Sequence, residues 1–150
     1  MPHLALPEIV TGVVARLDTQ LLRSTGGSET NAAITAAEDR AVSDERDFLV
    51  VAVNTNASTC TAVPLFARSS PGSAPLVPSA RQGDVGTWLT GDVHYSRWQH
   101  WHIPLSAFSI ASVNDPGDVS ARRSYALGDA DTLQDLANWA TRNRCAFRGV

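Results

Sequence analysis

Two short runs in the middle of the chain constrain its fold more than anything else. FLVVAV (48–53) is a continuous apolar stretch rich in β-branched residues, the mark of a buried strand. CTAVPLF (60–66) is a second such run, in which Pro64 marks an edge or a bulge. NTNAST (54–59) between them supplies Asn and Ser/Thr turn chemistry. Two strands joined by a turn of that size predict an antiparallel hairpin.

The flanking segments predict helices around this sheet. In 6–23, Leu6, Val10, Val13, Leu17 and Leu21 fall on one helical stripe, with Pro7 suited to a first turn and Gly26-Gly27 to a stop. Gly12 and the β-branched Ile9-Val10-Thr11 and Val13-Val14 pull toward a strand, but the length of the stripe favours a helix. Residues 24–31 read as loop. The Ala-rich, acidic 32–47 reads as an exposed helix or a loop that orders on binding. Three prolines in 67–84 predict a long irregular connection. Two short strands, 85–90 and 92–103, then meet at Thr90-Gly91. Mixed strand and turn structure follows over 103–113, and NDPGD (114–118) is a turn. The strongest helical pattern is 129–144, where Asp131 and Gln134 stand at capping-box spacing and Leu133, Leu136, Trp139 and Ala140 form the apolar stripe.

A chain of 150 residues with 43% hydrophobic and 18% charged residues is expected to form one globular domain. The parts are a helical or flexible 1–47, a β core over 48–113 and a closing helix at 129–144. The net charge is −3, and all twelve cations are arginine, so the balance does not favour nucleic acid, although a local arginine cluster could. Cys60 and Cys145 fit no metal spacing and read as free thiols in a cytoplasmic protein. The N-terminus lacks a basic, apolar leader pattern, and no run is long enough for a membrane span.

Chemistry-bearing residues concentrate in DVGTWLTGDVHYSRWQHWHI (84–103), which holds Trp88, Trp98, Trp101, His94, His100 and His102. Strand alternation would place His94, Ser96, Trp98, His100 and His102 on one face, opposite Val93, Tyr95, Arg97, Gln99, Trp101 and Ile103. Arg97 with His94 and Asp92 gives a cation, an acid–base group and a carboxylate, enough to cleave a phosphodiester through a ribose 2′-hydroxyl. Trp98 and Trp101 would stack unpaired bases. The same aromatic and arginine set equally describes a protein-docking surface. His94, His100 and His102 form a weaker metal-hydrolase option, and no cofactor or metal is expected. There is no G-x-S-x-G, P-loop or G-x-G-x-x-G.

The stretch ERDFLVVAVNTNASTCTAVPLFARSS (45–70) resembles the central segment of PemK/MazF-type toxins, in which an Arg-Pro pair leads into an L-V-V strand, a polar turn and a V-P-L-T/S-like strand. The resemblance covers 45–70 only. It implies an α+β fold, a small antiparallel SH3-like β barrel or half-barrel with an N-terminal helical segment and a C-terminal helix. It also implies a homodimer, a metal-independent endoribonuclease toxin acting on single-stranded RNA, and an antitoxin partner. TGVVARL (11–17) would then be the family's first strand. Arg46 matches the arginine of the Arg-Pro pair, which the family uses at its cleavage site. Asp47 replaces the proline, and Phe66 stands where the family has a Thr or Ser, with Ser69 and Ser70 just beyond. A phenylalanine cannot hydrogen-bond a phosphate, so the site is rebuilt or lost. The residues assigned on these grounds are Arg46, His94 and Arg97 for catalysis, and Arg68, Ser69, Trp98, His100, Trp101 and His102 for RNA contact. The alternative is a non-catalytic module that docks a protein through its Trp/His surface.

Overall fold

The computed structural model describes residues 4–30, 44–68, 73–83, 88–96, 99–113, 122–126 and 148–149. In chain order these hold β1 (Val14–Asp18), α1 (Thr19–Thr25), β2 (Glu29–Thr30), β3 (Glu45–Asn54), β4 (Thr59–Phe66) and β5 (Ser73–Pro75). There follow β6 (Arg81–Gln82), β7 (His94–Ser96), β8 (Trp101–Pro104), α2 (Leu105–Ala111), β9 (Ser112–Val113), β10 (Ser124–Tyr125) and β11 (Arg148–Gly149). The main sheet runs β11-β2-β8-β4-β3-β1-β9, with β7 on β4 and β5 on β7, and β6 pairs β10 separately. Every strand pairing in it is antiparallel. Among the described residues the result is an α+β arrangement whose main sheet ends at β9 and β11 and does not close into a barrel. The predicted helix at 129–144 and the turn at 114–118 lie outside the described residues.

The predicted hairpin is β3–β4, paired from Phe48↔Pro64 to Asn54↔Thr59. Side chains of these strands alternate between two buried clusters, which is why the runs are apolar throughout. Phe48, Val50, Cys60 and Ala62 face one cluster with Trp101, Ile103 and Phe108. Leu49, Val51, Val63 and Leu65 face the other with Tyr95, Trp88, Leu76 and Tyr125. Between Val50↔Ala62 and Ala52↔Thr61, β3 carries one extra residue. This bulge puts Val51 and Ala52 on the same side.

The helix expected over 6–23 does not form. Leu6–Glu8 is a single 3-10 turn, Val14–Asp18 is a strand and only Thr19–Thr25 is α-helical. Gly12 explains the break: its φ is +96°, and a Cβ there would stand 2.7 Å from the Tyr125 carbonyl oxygen. From Val14 the chain pairs with β3 on one side and β9 on the other. Asp18 then caps α1 by accepting from the amides of Gln20 (2.9 Å) and Leu21 (3.4 Å), and Gly26, at φ +81°, ends it as the glycine pair suggested.

The strand expected over 92–103 is likewise not continuous, and 88–90, expected to finish a strand begun at 85, is a turn. Tyr95 lies opposite Leu65 and Trp101 opposite Ala62, so six residues span what three span on β4. Three extra residues reverse the alternation. Tyr95 therefore enters the cluster with Leu65, and Trp101 enters the other with Ala62, although both were expected on one face. The segment expected to be mixed strand and turn after it contains α2, seven residues held by burying Ala107, Phe108 and Ala111. The connection at 67–84, expected to be irregular, contains β5, a 3-10 turn at Pro78–Ala80 and β6. Among the described residues no helix is long and apolar enough to cross a membrane.

Candidate functional site

The open end of the hairpin, where β3 begins and β4 finishes, borders a cleft of about 540 Å³. Continuing the ladder two steps past Phe48↔Pro64 brings Arg46 beside Phe66. The Arg46 guanidinium carbon stands 4.7 Å from the centre of the Phe66 ring, a cation–π contact. Its Nη1 donates to the Leu65 carbonyl at 3.3 Å. Its Nε and Nη2 donate to the two carboxylate oxygens of Asp44, at 3.1 and 2.9 Å. That hydrogen bond, the largest influence, holds the Asp44 carboxyl below its ordinary pKa.

Arg16 and Arg123 share the cleft. β1 sets Arg16 opposite Asp47, and the side chains lie 3.9 Å apart; Arg16 Nε lies 3.5 Å from a Glu45 carboxylate oxygen. Arg123 donates to the other Asp47 oxygen at 2.6 Å. Asp47, which stands where the resembled family has proline, thus ties the middle of the sheet to residue 123. The lining carries Arg16, Arg46 and Arg123 against Asp44, Glu45, Asp47 and Asp92, so it is charge-balanced rather than basic. Trp88, Gly91 and Val93 form the facing wall.

Of the described residues assigned from sequence, Arg46 alone lines this cleft. His94 lies on the neighbouring strand, paired with Phe66; it is half-buried, and its Nδ1 has no hydrogen-bond partner among the described residues. Arg68 is exposed just beyond β4. Ser69, Arg97 and Trp98 lie outside the described residues. Trp101 and His100 are each 0% exposed, so neither can stack a base or meet a partner. This corrects the expected Trp/His surface: the ring of Trp101 sits edge-on to Phe48 at 5.7 Å within the core. His102 is half-buried toward the other end of the hairpin, 3.4 Å from the Thr61 hydroxyl, beside a second cleft of about 610 Å³. Arg81 is buried and donates to main-chain carbonyls. Among the described residues no three His, Cys, Asp or Glu side chains gather as metal ligands. Burial pushes the Cys60 thiol up to about 12, which leaves it a packing residue rather than a nucleophile.

Burial pushes His100 the other way, down to about 4. Above its unfolded pKa of about 6.5, both states hold a neutral ring and stability is unaffected. Between that value and about 4, the unfolded chain takes up a proton that the folded chain refuses, so stability falls. Acidification from pH 7 to 4.5 is therefore expected to cost about 2–3 kcal/mol through His100 alone. Urea unfolding at the two pH values should show this loss shrinking in His100→Gln; an equal acid loss in both proteins would rule the effect out.

Compared with protein-family models and with curated proteins, the chain matches none.

Proposed function

We propose that this chain is a PemK/MazF-like, RNA-directed protein in which the Arg46 cleft receives a phosphodiester of single-stranded RNA. The observation that carries the reading is the placement of Arg46: an arginine at the open end of the central hairpin, braced on an aromatic ring, facing a cleft with two further arginines. A guanidinium fork suits a phosphate because its planar donors meet two oxygens at once. The strand path supports the same reading. β1, β3, β4 and β8 are neighbours in the sheet, and α2 carries the chain back to place β9 on β1, a connectivity consistent with an SH3-like half-barrel.

In this proposal the protein is a metal-independent endoribonuclease toxin, acting in the cytoplasm as a homodimer and restrained by an antitoxin. Arg46 steadies the charge that builds on the phosphate, and His94, one strand away, is the acid–base candidate for the 2′-hydroxyl and the departing oxygen. The test is incubation of a long single-stranded RNA with the purified protein in EDTA. Cutting by the wild type, reduced about a hundredfold or more in Arg46→Ala, is the expected result. An RNA left intact by the wild type would remove the catalytic reading.

The charge balance of the cleft favours a second reading, a non-catalytic module that docks a protein. Four carboxylates beside three guanidiniums and a Phe66 ring suit a partner carrying both charges better than a bare polyanion. In that case a labelled RNA would show no Arg46-dependent binding.

A further inference from the structure

Resting on the RNA reading, we infer that Asp44 is a built-in stand-in for the substrate phosphate: its carboxylate occupies the guanidinium edge of Arg46 and must swing away before RNA binds. The geometry is that of a two-pronged oxyanion contact, with Nε to one oxygen at 3.1 Å and Nη2 to the other at 2.9 Å. These are the donors a phosphate would use. The remaining edge is turned inward, with Nη1 on the Leu65 carbonyl. A ligand from the cleft therefore has to compete for the face that Asp44 holds.

The two aspartates on the arginines of this cleft are built differently. Asp47 lies within β3, opposite Arg16, and is gripped by Arg123 at 2.6 Å. Asp44 precedes the strand, and its side chain is 60% exposed against 26% for Arg46. Its main chain is pinned, because the buried Thr19 hydroxyl donates to the Asp44 carbonyl at 2.9 Å. Release therefore needs a rotation about the side-chain bonds and no movement of the backbone. An exposed ion pair of this kind is weak, so a phosphate presented by a chain with several contacts displaces it. Asp44 then sets a threshold: single anions lose to it, and a polyanion that also reaches Arg16 and Arg123 wins.

The test measures binding of a short fluorescent single-stranded oligonucleotide carrying 2′-O-methyl riboses, which keeps its phosphodiesters but lacks the attacking hydroxyl. Asp44→Asn is expected to bind about fivefold more tightly than the wild type. Asp92→Asn removes the same charge from the cleft without taking a described partner from Arg16, Arg46 or Arg123, and a much smaller gain is expected. Arg46→Ala combined with Asp44→Asn should show no gain over Arg46→Ala alone. If the wild type binds through Arg46 and Asp44→Asn binds no better, or no better than Asp92→Asn, the stand-in role is wrong while the RNA reading survives. If no protein binds the oligonucleotide, the RNA reading falls and takes this inference with it.

Discussion

Trp101→Ala is expected to lower the free energy of unfolding by about 3–5 kcal/mol, close to the whole stability of a marginal domain of this size. Its ring is fully buried among Phe48, Ala62 and Ile103, and the neighbouring chains cannot collapse far into the space because both hairpin strands are held by their ladder. A polar loss adds to the cavity. Trp101 Nε1 donates to the Gln99 side-chain oxygen at 2.9 Å, and Gln99 is itself fully buried, so truncation removes a donor that water cannot replace. Trp101→Phe, which keeps most of the volume but not the donor, should cost about 1–3 kcal/mol. Urea unfolding followed by circular dichroism measures both. An alanine variant within about 0.5 kcal/mol of the wild type would be the behaviour of a surface residue and would restore Trp101 as a docking or stacking group.

That reversal of role for Trp101 shows where the sequence stops being readable. In the hairpin, local signals and tertiary demand coincide: apolar β-branched runs, turn residues between them, and a sheet buried on both faces. In 94–104 they part. The residues alternate as if the strand were continuous, but β4 accepts only three residues where the chain supplies six, and only that pairing decides which side chains go inside. The same holds at the N-terminus, where a helical stripe is overruled by Gly12 packing against the Tyr125 carbonyl, a contact made 113 positions along the chain. β3 also begins three residues before its apolar run, since Glu45, Arg46 and Asp47 are drawn into the ladder by pairing with Asp18, Leu17 and Arg16. Of the cleft lining, Arg46 was singled out through the resemblance over 45–70, a stretch whose hairpin is encoded locally. Arg16 and Arg123 were not, because the bonds that collect them around Asp47 join residues 31 and 76 positions apart, and no spacing rule reaches that far.

The second large effect is expected at Arg81, and it ties the cleft to the core. Arg81 is 7% exposed, yet its described partners are main-chain oxygens rather than a carboxylate. Nη1 donates to the carbonyls of Trp88 (2.9 Å) and Gly91 (2.6 Å), and Nη2 to that of Leu76 (2.8 Å). The guanidinium also lies 5.5 Å from the centre of the Trp88 ring, whose Nε1 donates to the Gln82 carbonyl at 2.8 Å. One planar cation thus ties two separate stretches of backbone together, at Leu76 and at 88–91, and two of its anchor points, Trp88 and Gly91, are walls of the Arg46 cleft. Arg81→Met fills most of the volume but leaves three carbonyls without their donors, and a loss of about 3–5 kcal/mol is expected. Arg81→Lys should recover only part of it, because a single ammonium on a flexible stem cannot reach in the fork's two directions at once. Urea unfolding gives the stability, and amide exchange over 88–93 reports on the wall itself. Faster exchange there, with the β3–β4 amides still protected under native conditions, would show that the clamp holds the cleft locally as well as stabilising the fold. A fully stable Arg81→Lys protein with unchanged exchange would mean that a single point charge suffices and that the fork geometry contributes nothing.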